Sequence, residues 1–199
     1  MTKSELRKIF LARRENLAVG ETLDTSQIIA DEFFDTFALS DIKTLLCFIP
    51  IAKFSEIETS LIYKKIWMDF PTIQTLVPRI DLESGEMASL AFNGETVLAE
   101  NRWGIPEPIG GETVKPNKID MVLVPLLCFD KRGYRVGYGK GFYDKLLTKC
   151  RPDCVKVGLS YFPPVAGIDD TSEHDVKLDH CVTPERVFGF GTKKDAAEL

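Results

Sequence analysis

The chain is poor in the residues that announce a metal centre or a disulfide scaffold. Its 199 residues include two histidines, His174 and His180, and five cysteines, Cys47, Cys128, Cys150, Cys154 and Cys181. The thiols are odd in number and none stand as C-x-x-C, so the spacing supports neither a zinc site nor a disulfide framework. They read as reduced, partly buried fillers. No stretch approaches the roughly 20 apolar residues a membrane span needs, and the mixed-charge start Met-Thr-Lys-Ser-Glu-Leu-Arg-Lys is no signal peptide, so a cytoplasmic protein without a membrane partner is expected. A basic excess is also missing: the formal net charge is −5, which disfavours nucleic acid as a partner. Internal repeats, low-complexity tracts and linkers are absent too. With 44% hydrophobic and 28% charged residues, the composition is that of one globular domain over residues 1–199, large enough to bury its own core.

What is present alternates between strand-like and helix-like stretches. Lys3 to Leu17 has a helical pattern with Leu6, Ile9, Phe10 and Leu17 on one side, and Lys3, Arg7 and Arg14 fall in a row beside that stripe. Such a row is either a solvated basic face or a set of cations along an anionic ligand. Thr25 is the expected N-cap of a second helix through Phe37, with Ile28, Ile29, Phe33, Phe34 and Phe37 on its apolar face. Thr44 to Ile49 reads as a buried strand. A loop carrying Ile51, Glu56 and Glu58 then leads into a helix from Thr59 to Asp69, where carboxylates near the N-terminus complement the helix dipole. Further strands are expected at Thr72–Val77 (stopped by Pro78), Glu86–Phe92, Met121–Val124, Lys156–Tyr161 and Cys181–Val187, and the charged tail from Lys193 is expected to fray. Trp103-Gly-Ile-Pro-Glu-Pro108 sits on a proline-stiffened loop, as a lid over a flat ligand or as a hydrophobic plug. The pattern predicts an α/β fold: a mainly parallel or mixed central sheet with helices on both faces, a Rossmann-like three-layer arrangement.

The centre of the chain carries the chemistry. The apolar run ending at Pro125 gives way to a loop in which Gly133, Gly137, Gly139 and Gly141 are interleaved with Lys131, Arg132, Arg135 and Lys140, and a helix start follows. Strand, glycine loop and helix N-terminus together favour an anion, because backbone N–H groups point into the loop and glycines admit a ligand closely. The loop is neither G-x-x-x-x-G-K-[ST] nor G-x-G-x-x-G. Asp144 beside it is either a dipole-complementing carboxylate or, next to a polyphosphate, a Mg²⁺ ligand with Asp175 or Asp179 as the second carboxylate.

Arg135-Val-Gly-Tyr-Gly-Lys-Gly-Phe-Tyr-Asp144 resembles the signature of the 5-formyltetrahydrofolate cyclo-ligase (methenyltetrahydrofolate synthetase) family. Pro125, Phe129-Asp130 to Gly133, Lys3-x-x-x-Arg7, Glu56-Ile-Glu-Thr59, Trp103 to Pro108 and His174-Asp-Val-Lys-Leu-Asp179 extend the likeness over almost the whole chain. The resemblance implies an ATP- and Mg²⁺-dependent closure of 5-formyltetrahydrofolate to 5,10-methenyltetrahydrofolate, with a monomer acting on two small molecules. It implies ATP contacts from Lys3, Arg7 and Arg135, Val136, Gly137, Tyr138, Gly139, Lys140, Gly141, Phe142 and Tyr143, with Arg135, Lys140 and Tyr143 as catalytic residues. Folate contacts would come from Glu56, Ile49 or Ile51, Trp103 and the Tyr138–Phe142 stretch, and Mg²⁺ would sit on Asp144 and Asp175. Phe142 departs from a position where the family often has Tyr, and the loop before Glu56 is longer than usual. The competing expectations are a non-catalytic module that binds a nucleotide or sugar phosphate and an RNA-associated protein, the latter disfavoured by the acidic balance.

Overall fold

The computed structural model describes residues 1–81, 85–101 and 105–191. Among the described residues, four α-helices and twelve strands follow one another along the chain. The helices are α1 (Lys3–Glu15), α2 (Val19–Thr36), α3 (Ser60–Asp69) and α4 (Phe142–Leu147). Eight strands form one sheet: β1 (Thr44–Leu46), β2 (Gln74–Asp81), β3 (Glu86–Ala91), β6 (Thr113–Val114), β7 (Met121–Pro125), β10 (Val155–Leu159), β11 (His180–Val182) and β12 (Val187–Gly189). Two small antiparallel pairs stand apart from it, β4 (Leu98–Glu100) with β5 (Pro106–Pro108) and β8 (Cys128–Phe129) with β9 (Arg135–Val136). The order across the main sheet is β12-β11-β10-β7-β1-β2-β3-β6, parallel from β11 to β2 and antiparallel at both edges.

Strand alternation divides the core between the two faces. Leu45, Met121, Leu123, Val157 and Leu159 point to one side and join Leu6 and Phe10 of α1, Ile29 and Phe33 of α2, and Ile62 and Ile66 of α3. Leu46, Val122 and Val124 point to the other, where they meet Leu146 and Leu147 of α4, Phe129, Leu178 and Cys181. Each such fully buried aliphatic side chain stabilises the fold by about 1.5–3 kcal/mol. Helices therefore cover both faces as expected, three on one and the six-residue α4 on the other. All five cysteines are free thiols; four are buried, and Cys150, just past the end of α4, is partly exposed.

Several boundaries differ from the sequence reading for identifiable reasons. The second helix starts at Val19 rather than at a Thr25 cap, and Ala18 precedes it without a side-chain capping bond, so no N-cap residue marks that start. Ile9, placed on the apolar side of α1, is 41% exposed, because the buried stripe is Leu6, Phe10 and Arg14. Pro78 does not stop β2. The Leu76 carbonyl still accepts from the Cys47 N–H, just past the end of β1, and no β1 residue pairs with Pro78, so the missing proline N–H breaks no ladder bond to β1. The expected last strand is two strands, β11 and β12, folded back at Thr183–Arg186, where the Thr183 N–H and hydroxyl both donate to the Arg186 carbonyl. Trp103 and the tail from Lys193 lie outside the described residues.

Candidate functional site

In open parallel sheets, ligands bind beyond the carboxyl ends of the strands, at the point where successive connections leave in opposite directions. Here that point lies between β1 and β7. The chain leaving β1 passes through Ile49, Ile51 and Glu56 toward β2, whereas the chain leaving β7 passes through the β8–β9 hairpin and the glycine loop toward β10. The two loops meet: the Tyr138 hydroxyl donates to Glu56 Oε1 at 2.6 Å, and the Phe54 and Tyr138 rings lie 4.8 Å apart.

The hairpin was absent from the sequence reading, which ran β7 straight into the loop. Asp130 builds it. Its fully buried carboxylate accepts from the backbone of Arg132 and Tyr134 and from the Arg132 guanidinium, at 2.7–3.1 Å. Arg132 also reaches the Ile168 carbonyl at 2.7 Å, so it is a structural strap and not a cation of the loop. The glycine loop then ends in a helix of six residues, too short for a strong dipole, and Gly139 and Gly141 take φ of 89° and 68°. A side chain on Gly139 would stand 3.2 Å from the Arg7 guanidinium.

Helix α1 supplies cations to this loop. A capping box, Thr2 Oγ1 accepting from the Glu5 N–H and Glu5 Oε2 from the Thr2 N–H, fixes its first turn. One turn apart, Arg7 donates through Nε to the Gly137 carbonyl at 2.9 Å, and Lys3 Nζ donates to both Asp175 oxygens at 2.6 Å. The row of cations is thus turned toward the loop. Lys140 is exposed at its tip.

Arg135 ties the loop to the C-terminal segment. It donates to Asp144 Oδ1 at 2.8 Å and to the Val176 carbonyl, while the Val176 N–H donates to the same Asp144 oxygen at 3.0 Å. Burial lowers the Arg135 pKa, partly offset by Asp144. Asp144 and Asp175 are therefore joined through Val176, the neighbour of Asp175 in the chain. Burial raises the Asp175 pKa, but Lys3 and the Ser172 N–H more than offset this and hold it below the usual carboxylate range. Asp179 is elsewhere, bound at 2.8 Å to both the N–H and the ammonium of Lys156 on β10. The geometry pairs Asp144 with Asp175, not with Asp179.

Glu56 is 8% exposed, and burial raises its pKa against the lowering effects of Tyr138, the Ile51 N–H and Arg14. The Ile51 N–H donates to its Oε2 at 2.9 Å, and Ile49 packs against the helix-covered core. Glu58 is an ordinary helix-end carboxylate accepting from the Ser60 N–H at 3.2 Å. Val136 is fully buried, and Phe142 opens α4. Tyr143 packs its ring on the second face with its hydroxyl buried and without a hydrogen-bond partner, so it forms the wall and not the mouth of the site.

Arg14 was noted in the cation row but given no place at the site. It is 2% exposed and donates to the Tyr138 oxygen at 3.2 Å and to the Leu126 carbonyl. Its signal was available: at i+4 from Phe10 and i+8 from Leu6, a charge stands on the buried stripe of α1.

The chain is similar to known proteins along most of its length. A mouse 5-formyltetrahydrofolate cyclo-ligase is 27% identical over 188 residues, covering 89% of this chain and 91% of that protein. The Haemophilus influenzae enzyme of the same name is 27% identical over 162 residues, 80% of this chain and 83% of that one. The solution structure of Aquifex aeolicus 5,10-methenyltetrahydrofolate synthetase superposes with a TM-score of 0.81 at 28% identity, covering 96% of this chain and 94% of that chain. The 5-formyltetrahydrofolate cyclo-ligase family model matches residues 1–184, and the chain belongs to that family.

Proposed function

We propose that the crevice between β1 and β7 binds ATP and 5-formyltetrahydrofolate side by side and closes the folate to 5,10-methenyltetrahydrofolate, with release of ADP and phosphate. The observation that carries this reading is that one loop touches both the cationic helix, through Gly137–Arg7, and the buried acid, through Tyr138–Glu56. Lys3, Arg7, Lys140 and the Arg135–Tyr143 backbone hold the triphosphate. Glu56 accepts the N–H donors of the pterin edge, and Ile51, whose N–H bonds Glu56, is better placed beside the ring than Ile49. Trp103 is assigned to the folate side by the family resemblance alone.

An amide-like formyl oxygen is a poor leaving group. Attack of that oxygen on the γ-phosphorus displaces ADP and leaves an iminium phosphate; N10 then closes on the carbon and gives up its proton to water, and phosphate departs. The protein has no covalent step to perform. Its contribution is alignment and stabilisation of charge on the transferring phosphoryl group. Lys140 at the loop tip and Arg135 supply positive charge, and Tyr143 contributes to the wall behind them. Mg²⁺ would be held by Asp144, whose two bonds both fall on Oδ1 and leave Oδ2, and by Asp175 once Lys3 turns from it to the phosphates; Mg²⁺ is commonly held by one or two carboxylates plus phosphate oxygens. When bound, the cation would neutralise phosphate charge. A cytoplasmic monomer folded as one domain completes the proposal.

The test is direct. The protein is mixed with 5-formyltetrahydrofolate, ATP and Mg²⁺, and the methenyl absorbance is followed. Folded protein without signal would sink the reading, whereas loss of signal on omitting ATP supports it.

A further inference from the structure

Beyond the loop and the acid, the site contains a buried cation that the reaction does not call for. Arg14 rises from α1 into the space behind Tyr138, 2% exposed, with its guanidinium 5.7 Å from the Tyr161 ring and its Nε without a partner. Guanidinium groups do not deprotonate in proteins and only donate. Along the 3.2 Å contact between Arg14 and the Tyr138 oxygen, Arg14 is therefore the donor. The single Tyr138 proton is left for Glu56 Oε1, 2.6 Å away, and the Ile51 N–H takes Oε2.

We propose that Arg14 is a positioning residue for folate: it fixes the donor order Arg14 to Tyr138 to Glu56 and so presents Glu56 to the ligand as an acceptor only. This rests on the reading of Glu56 as the folate-binding acid. Each carboxylate oxygen retains a further lone pair after its protein bond, and the two together suit adjacent N–H donors on one edge of a fused ring. Arg14 is the cation acting on Glu56; the other titratable groups that sense it are the phenols of Tyr138, Tyr143 and Tyr161. Without Arg14, the Tyr138 hydroxyl is free to turn, and a buried acid with no cation beside it takes up a proton. One oxygen then donates where the ligand also donates. Tyr161 braces the same wall, its hydroxyl donating to the Glu56 carbonyl at 3.1 Å.

A purely structural Arg14, tying α1 to the Leu126 carbonyl, would lower activity equally for both substrates and at every pH. Steady-state kinetics of the full chain separate the two. Arg14→Met is expected to raise the folate KM about tenfold or more, as for a lost bond to a charged group, with the ATP KM unchanged. It also moves the acid limb of kcat/KM for folate to higher pH, and Arg14→Lys, which keeps the charge, recovers part of that limb. In a Glu56→Gln background the Arg14→Met change adds little. A loss shared by both substrates with no movement of the acid limb overturns the proposal, as does full additivity with Glu56→Gln. If Arg14→Met does not fold, Tyr138→Phe interrupts the same relay, and a wild-type folate KM and acid limb in that variant overturn it as well. A Glu56→Gln enzyme with unchanged folate kinetics would instead refute the assignment of Glu56.

Discussion

Replacing Arg135 with Met removes the fork that joins the glycine loop to the segment carrying Asp175. The Arg135 side chain is 6% exposed and its partner Asp144 29%, so the pair is buried on one side and wetted on the other. Removing one member of a fully buried pair costs about 3–5 kcal/mol, and water reaching Asp144 reduces this to about 2 kcal/mol. The Val176 carbonyl also loses its donor, which adds about 1 kcal/mol. A total near 3 kcal/mol leaves a folded protein, since domains are stable by about 5–15 kcal/mol, and it lowers Tm by about 6–12 °C for a chain of this size. Thermal and urea unfolding of the ligand-free protein measure the loss, and the double variant Arg135→Met/Asp144→Asn tests its source. Removing the stranded charge recovers part of the stability, giving a coupling of about 1–2 kcal/mol between the two sites. A single-variant loss below about 0.5 kcal/mol, the range of ordinary surface changes, or strict additivity, would refute the view that this fork holds the two halves of the site together.

Three further outcomes follow from the same geometry. Gly139→Val strains a φ of 89° and drives a side chain into Arg7, so ATP affinity measured by titration falls at least tenfold in a folded protein; unchanged affinity would count against the phosphate cradle. The folded pKa of Glu56 lies above its unfolded value, so its stabilising contribution is full below the unfolded pKa and is lost as pH rises through the folded one; Glu56→Gln removes that decline from the stability–pH curve of the ligand-free protein. Asp175 is the opposite case. Its folded pKa is depressed, so its contribution is present above the unfolded value and lost as pH falls through the folded one, and Asp175→Asn should flatten the acid limb of chemical unfolding while raising the Mg²⁺ needed for turnover.

The elements with strong periodicity were readable in the sequence. The buried run of Met121 to Val124, the helix ending at Asp69 and the glycine loop all fall where the pattern places them. What escaped depends on partners distant in sequence. Asp130 looks like any loop acid until Arg132, the Tyr134 N–H and the Ile168 N–H close around it. Pro78 looks like a stop until β1 proves too short to pair with it. Arg14 was visible as a misplaced charge on the Leu6–Phe10 stripe, but only the fold shows that it meets Tyr138, 124 positions away. That Asp175 lies next to the partner of Asp144 while Asp179 is held by Lys156 of β10 likewise depends on contacts distant in sequence.

The distribution of thiols gives the molecule a natural reporter. Cys47, Cys128, Cys154 and Cys181 are sealed in the core, which leaves Cys150 as the thiol partly open to solvent. It stands three residues past the end of the six-residue helix whose first residue follows Gly141, so a helix about 9 Å long lies between it and the glycine loop. The Cys154 thiol, as hydrogen-bond donor, leads the influences that lower its pKa, so maleimide or fluorophore chemistry should select it in the unmodified chain. A dye at Cys150 would then register loop rearrangement in real time, without introducing a foreign residue near either substrate.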